Sequence, residues 1–235
     1  MKVEELSQYG KGLEMPRYTL KHQKRILLKI LKREFGSFGM ISVMIGMMKH
    51  TKKLKKQYPD MVKLAASVGK DQDKQVISTA ALFLSMADKR GRVYAAGLMK
   101  SLIQQVAPIT LPAIHAQYDV VKCEGDIFTN FKKFTKELFV GCDKQGTWKN
   151  DGFIDTEDCL EFKVTSCINV ELMQGLGCPE LIRMGCDHDL GAYHLMEEGT
   201  QCSFRRSKTI ANGDDYCHFF YYRKGKAPDT AHLNK

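Results

Sequence analysis

The hydrophobic period changes once along this chain, and that change restricts the folds open to it. From Tyr18 to about Phe35 the apolar residues Leu20, Ile26, Leu27, Ile30 and Leu31 recur at helical spacing among Lys and Arg, up to Gly36. A second helix is predicted from about Ser37 to just before Pro59, through Met40, Met44, Met47 and Met48. Its lysines gather near the C-terminal end, where the helix dipole favours cations. Further helices are expected at about 60–68, 72–89 and 91–106, where Ala, Leu and Met dominate, with Pro108 and Pro112 closing the helical part. Ile127 to Val140 places Ile127, Phe128, Phe131, Phe134, Leu138 and Phe139 on one helical face. Alternation of period two appears at Leu160, Phe162 and Val164, a half-buried strand that delivers Cys167 at its end. Two later strand-like runs, 201–211 and 215–223, join through Asn212 and Gly213, a hairpin signal. In the last run Cys217, Phe219 and Tyr221 share one face, and Tyr216, His218, Phe220 and Tyr222 the other. Helices followed by strands imply an α+β fold in a single domain of 235 residues. Its helical N-terminal layer (1–118) is expected to pack on a short antiparallel sheet within residues 119–225.

Two connecting stretches complete this reading. Gly141 to Gly152 reads as turn and loop around the single Trp148. Cys178, Pro179 and Glu180 look like a helix start. If helix follows, Cys186, Asp189, Leu190 and Tyr193 share a face, with His188 pointing elsewhere.

Charge and cysteine divide the chain at the same place as the period. Residues 1–120 hold 21 Lys and Arg against 9 Asp and Glu, and residues 121–235 hold 15 against 18. All eight cysteines lie in the second part. The Lys49 to Lys56 cluster has no interleaved aromatic residue and no accompanying zinc-finger or RNP-like pattern, so nucleic acid is not an expected partner. The longest apolar run, Met40 to Met48, is too short to span a bilayer, and no membrane partner is expected. The N-terminus shows no signal or transit pattern, which places the protein in the cytoplasm. In that reducing compartment the cysteines are expected as free thiols, catalytic groups or metal ligands. Cys123, Cys142, Cys159 and Cys202 fit packing best, and His194 and His218 read as surface or satisfied core residues. Paired ligands of the Cys-x2-Cys type are absent, so no metal is favoured. A dispersed zinc site from Cys167, Cys186, Cys217, His188 and Asp189 stays open, as does a homo-oligomer.

The stretch from Cys167 through Gly177-Cys178-Pro179-Glu180-Leu181, Cys186-Asp187-His188-Asp189 and Arg206-Ser207-Lys208-Thr209 to Gly213-Asp214 and Cys217-His218-Phe219 resembles the L-2-amino-thiazoline-4-carboxylic acid hydrolase family. Its marks are the C-x-x-D of Cys186 and Asp189 and the R-x-x-T…G-D-x-x-C from Arg206 to Cys217. The resemblance implies a small anionic heterocyclic substrate, a cyclic isothiourea bearing a carboxylate, opened to N-carbamoyl-cysteine without a cofactor. On that implication Cys186 is the nucleophile, and Asp189 acts as base or orients a histidine. Arg206 or Arg205 forks onto the carboxylate, and Thr209 and Cys217 complete the pocket wall, Cys217 also counting with the catalytic group. Cys167 counts with Arg206, Arg205 and Thr209 as substrate-binding. The last strands also resemble, more distantly, the small-molecule-binding domain of the 4-vinyl reductase type. Its four zinc-ligand positions fall on Cys186, Arg206, Thr209 and Cys217, so two of the four are replaced. Two alternatives follow: another ring-opening or C–S or C–N bond reaction, and a non-catalytic small-ligand sensor, with or without zinc.

Overall fold

The computed structural model describes residues 17–69, 72–117 and 124–229, with the side chains of 17–19 and 112–117 outside the description. Cys123 therefore lies outside the described residues. Seven helices and four strands follow in order: α1 (Arg17–Gln57), α2 (Pro59–Ser67), α3 (Gln72–Arg90), α4 (Arg92–Gln117), α5 (Ile127–Lys144), β1 (Trp148–Asp155), β2 (Cys159–Cys167), α6 (Ile168–Gly175), α7 (Met184–Thr200), β3 (Cys202–Lys208) and β4 (Cys217–Arg223). Short 3-10 turns at Pro179–Leu181 and Ile210–Asn212 lead into α7 and between β3 and β4. The strands form one antiparallel sheet of order β1-β2-β4-β3. An α+β fold with a helical N-terminal layer is what the order of patterns predicts.

Within α1 the chain bends at Gly36, whose φ of +69° and ψ of 177° are open to glycine and costly for other residues. The predicted end of one helix and start of the next meet there. Downstream, Val43 and Leu54 turn inward while Lys49, Lys52, Lys53, Lys55 and Lys56 stay exposed. Met40, Met44 and Met47 pack against the helical core, and Met48 is exposed. Gly46 lets α1 approach α3 closely, because a Cβ there would lie 2.2 Å from Ser85 Oγ. That hydroxyl is itself buried and donates to the Val43 carbonyl at 2.7 Å.

Three local expectations are corrected. Helix α4 does not stop at Pro108 or Pro112 but runs to Gln117. Its segment Val106, Ala107, Thr110 and Leu111 is buried against α7, where Gly191 faces Ala107. Burial of that face outweighs the backbone bonds that proline forfeits. The 141–152 stretch is not a loop: α5 extends to Lys144 and β1 begins at Trp148. As an edge strand with register shifts near Asn150 and a left-handed Gly152, β1 lacks the alternation that would announce it. Pro179 opens a single 3-10 turn, and α7 starts five residues later.

Two apolar clusters result. One is aliphatic and lies among α1 to α4, with Ile30, Leu31, Val43, Ile77, Phe83 and Met86, and it also takes Ile168, Leu172 and Leu181 from the second half. The other is aromatic and lies between the sheet, α5 and α7. There Phe162 on β2 stands opposite Phe219 on β4, ring planes 7° apart at 5.2 Å, and Tyr193, Phe204 and Tyr221 stack beside them. A bidentate clamp joins the layers: Arg92 Nε and Nη2 donate to the two Glu180 oxygens at 2.5 and 2.7 Å, and Nη2 also reaches the Gly177 carbonyl. Among the described residues no helix is long and apolar enough to cross a membrane.

Candidate functional site

A cavity of about 300 Å³ lies between the two clusters, at the small end of the range for ligand pockets. The helical layer contributes Val68, Gln72, Val76, Thr79 and Leu111, and the sheet side contributes Trp148, Val164, Tyr193 and Phe219. Into this apolar lining project Cys167, Cys186, His188, Asp189, Arg206 and Cys217.

Alternation along β3 explains why Arg206 faces the interior. The side chain is 1% exposed. Its Nη1 donates to Asp189 Oδ2 at 2.9 Å and its Nη2 to the Cys186 carbonyl at 3.0 Å, so one guanidinium fixes the first turns of α7 against the sheet. Its Cζ lies 5.6 Å from the ring centroids of both Phe204 and Phe219, which adds cation–π attraction. Arg205, one residue earlier, points the other way. It lines a separate hollow of about 60 Å³ with His194 and Glu197, and its Nη1 donates to the Phe204 carbonyl. The structure therefore places Arg206, and not Arg205, in the cavity.

The three thiols sit on three different elements. Cys167 ends β2 and precedes α6, with the backbone N–H groups of Val170 and Asn169 and the Trp148 side chain around its sulfur. Burial pushes its thiol up, and those donors oppose the shift. Burial also pushes Cys186 up, against the opposing pull of Arg206 and with a further rise from Asp189. Cys217 Sγ accepts from the Ile210 N–H at 3.4 Å, and burial pushes its thiol up to about 12. A cationic neighbour is thus present beside Cys186, but desolvation outweighs it. A low-pKa thiolate is not what this environment favours.

His188 departs from expectation. It lines the same cavity as Cys186 and Asp189, and its Nε2 bonds Thr110 Oγ1 of α4. Its Nδ1 lies 4.0 Å from Asp189 Oδ1. No spacing in the sequence links two residues 78 positions apart. Thr209 is the other correction: it is buried but does not line the cavity. Its N–H donates to Asp214 Oδ2 at 2.8 Å, and its carbonyl accepts from Asn212, so it shapes the turn between β3 and β4. His218 sits on the outer sheet face, paired with Glu161 at 2.8 Å.

Zinc fits these residues poorly. At the four positions suggested by the vinyl-reductase likeness, Arg206 brings a fixed cation, and Thr209 is not part of the cavity lining. Among the described residues no group of three or more His, Cys, Asp or Glu side chains is placed to hold a metal ion. All seven described cysteines are free.

The fold thus places a cavity, with three thiols in its lining, between a helical layer and an antiparallel sheet. The family model described as L-2-amino-thiazoline-4-carboxylic acid hydrolase matches residues 70–221, and the chain belongs to that family. The match spans α3 to β4 and includes every polar group named in the cavity. No curated protein and no solved structure matches the chain.

Proposed function

We propose that this protein hydrolyses a small carboxylated cyclic amidine, L-2-amino-thiazoline-4-carboxylate or a close relative, to the ring-opened N-carbamoyl-cysteine. The observation that carries the reading is the convergence of Cys186, Asp189 and Arg206 on one cavity in a chain of this family. Arg206 receives the substrate carboxylate, and Asp189, held by Nη1, faces the amidine nitrogens. Cys186 Sγ attacks the carbon between ring nitrogen and ring sulfur. The tetrahedral adduct collapses by breaking the bond to ring sulfur, which leaves with the electron pair and takes up the thiol proton. Water then adds to the same carbon and displaces Cys186. Its oxygen becomes the urea carbonyl, one hydrogen goes to nitrogen and the other to the cysteine sulfur.

A second assignment of the nucleophile rests on Cys167, whose sulfur faces the Val170 and Asn169 N–H groups and Trp148. Thiol release from L-2-amino-thiazoline-4-carboxylate, followed with a thiol reagent, tests both. Loss of release in Cys186→Ala with retention in Cys167→Ala supports Cys186, and the reverse supports Cys167. Saturable binding without thiol release would instead make the protein a ligand-binding module.

A further inference from the structure

All three cavity thiols are held neutral by burial, so an attack by any of them needs a proton acceptor. Asp189 is engaged at Oδ2 by Arg206. The other ionisable group with a nitrogen lone pair in the lining is His188. Its ring orientation follows from Thr110, which is fully buried on α4. The hydroxyl of Thr110 lies within hydrogen-bond reach of the helix carbonyls of Val106 at 3.2 Å and Ala107 at 3.5 Å, the acceptors a helical threonine ordinarily uses. With its single proton given to those carbonyls, its oxygen accepts from His188 Nε2–H. In that arrangement the neutral ring carries its lone pair on Nδ1. A proton taken up at Nδ1 arrives 4.0 Å from Asp189 Oδ1, where a carboxylate stabilises imidazolium, and Arg206 holds that carboxylate in place.

We propose that His188 carries the proton in this cavity and that Thr110 is the residue that positions it. The proposal rests on the hydrolytic reading of the site. Nδ1 takes the proton from the attacking thiol as the new C–S bond forms. It returns that proton to the ring sulfur as the old C–S bond breaks, so that no proton is gained or lost over ring opening. The helical layer thus supplies more than a wall: a hydroxyl from α4 sets which nitrogen of a histidine on α7 is basic.

Two measurements test this. In steady-state thiol release, His188→Asn is expected to lower kcat by about 100-fold or more with KM little changed, the usual size of a general acid–base contribution. Thr110→Val is expected to lower kcat by about tenfold, and Thr110→Ser to restore it, since one positioning hydrogen bond is at stake. Unchanged kcat in His188→Asn, beside an active wild type, overturns the proton-carrier role. Equal losses in Thr110→Val and Thr110→Ser overturn the positioning role. Should the Thr110 variants fail to fold, ¹⁵N spectra of histidine-labelled wild type decide it, with His188 assigned by difference from His188→Asn. Protonated Nε2 and lone-pair Nδ1 are expected, and the opposite tautomer overturns the proposal. A wild type without thiol release overturns the hydrolytic reading and the proton-transfer role with it, while the tautomer measurement separately tests the contact with Thr110.

Discussion

The two clusters of this protein are built from different side chains, and the difference locates the chemistry. Among α1 to α4 the core is aliphatic and small, with Ala65, Ala80, Ala81 and Ala95 fully buried so that helices approach closely. Between the sheet, α5 and α7 it is rich in aromatic rings, among them Phe128, Phe131, Phe134, Phe139, Phe162 and Phe219. The Arg206 guanidinium lies against both the Phe204 and the Phe219 ring, 5.6 Å from each centroid. Close helix packing tolerates little buried polarity, whereas ring edges and faces can host a guanidinium. The cavity forms where the two kinds of core meet, and its polar groups come mainly from the aromatic side.

Large truncations break this contrast most directly. Phe162→Ala, which removes a ring stacked on Phe219 and Tyr221 and packed against Phe139 and Phe153, is expected to cost about 3–5 kcal/mol. Ile77→Ala, in the helical core, is expected to cost about 2–4 kcal/mol. We further propose that both clusters unfold as one domain, so that Trp148 fluorescence and far-UV circular dichroism give coincident urea transitions in wild type and in both variants. Separate transitions would show that the cores are independent units.

Next in size is the pair of neighbouring arginines. Arg206→Met leaves Asp189 and the Cys186 carbonyl without their donor, and a loss of about 3 kcal/mol is expected from equilibrium unfolding. Arg205→Met should change stability by about 0.5 kcal/mol or less, because its Nη1 donates only to the adjacent Phe204 carbonyl. Comparable losses in the two would mean that the faces of β3 are not as different as their environments indicate.

A smaller effect distinguishes close packing from helix propensity. Gly46→Ala raises intrinsic helicity, yet its Cβ meets Ser85 Oγ, so net destabilisation of about 1–2 kcal/mol is expected in urea. Stabilisation instead would mean that α1 and α3 separate without penalty.

The smallest concerns the entry to α5. Asp126 caps that helix by accepting the Thr129 N–H and pairs with Arg223 of β4. Arg223 and Thr129 hold its carboxyl below the usual range. A depressed carboxyl contributes stability above its unfolded pKa of about 3.9 and loses it as pH falls through the folded value. Asp126→Ala should therefore cost about 1 kcal/mol at pH 7, the usual size of a helix cap, and the gap in urea midpoint should narrow progressively below about pH 4. A gap independent of pH would remove the charge from the account.

How much of this was legible in the sequence differs by residue. The face shared by Cys186, Asp189 and Tyr193 follows from helical spacing, and that of Cys217, Phe219 and Tyr221 from strand alternation, because each is set by a period the backbone enforces. The inward turn of Arg206 and the outward turn of Arg205 obey the same alternation, but no local rule says which face meets the core. Edge strand β1 was hidden because its pairing partner, and not its own composition, makes it a strand. Continuation of α4 past Pro108 was hidden because burial against α7 is a long-range contribution.

By itself, the sequence determined the α+β order, the bend at Gly36, the strand that delivers Cys167 and the family to which the chain belongs. Only the tertiary structure decided that the helical layer walls the cavity, that burial holds its thiols neutral, and that Thr110 meets His188. The physical reason is range. Periodicity, turns and caps act over a few residues, whereas desolvation and the pairing of distant polar groups exist only once the two cores have closed on each other.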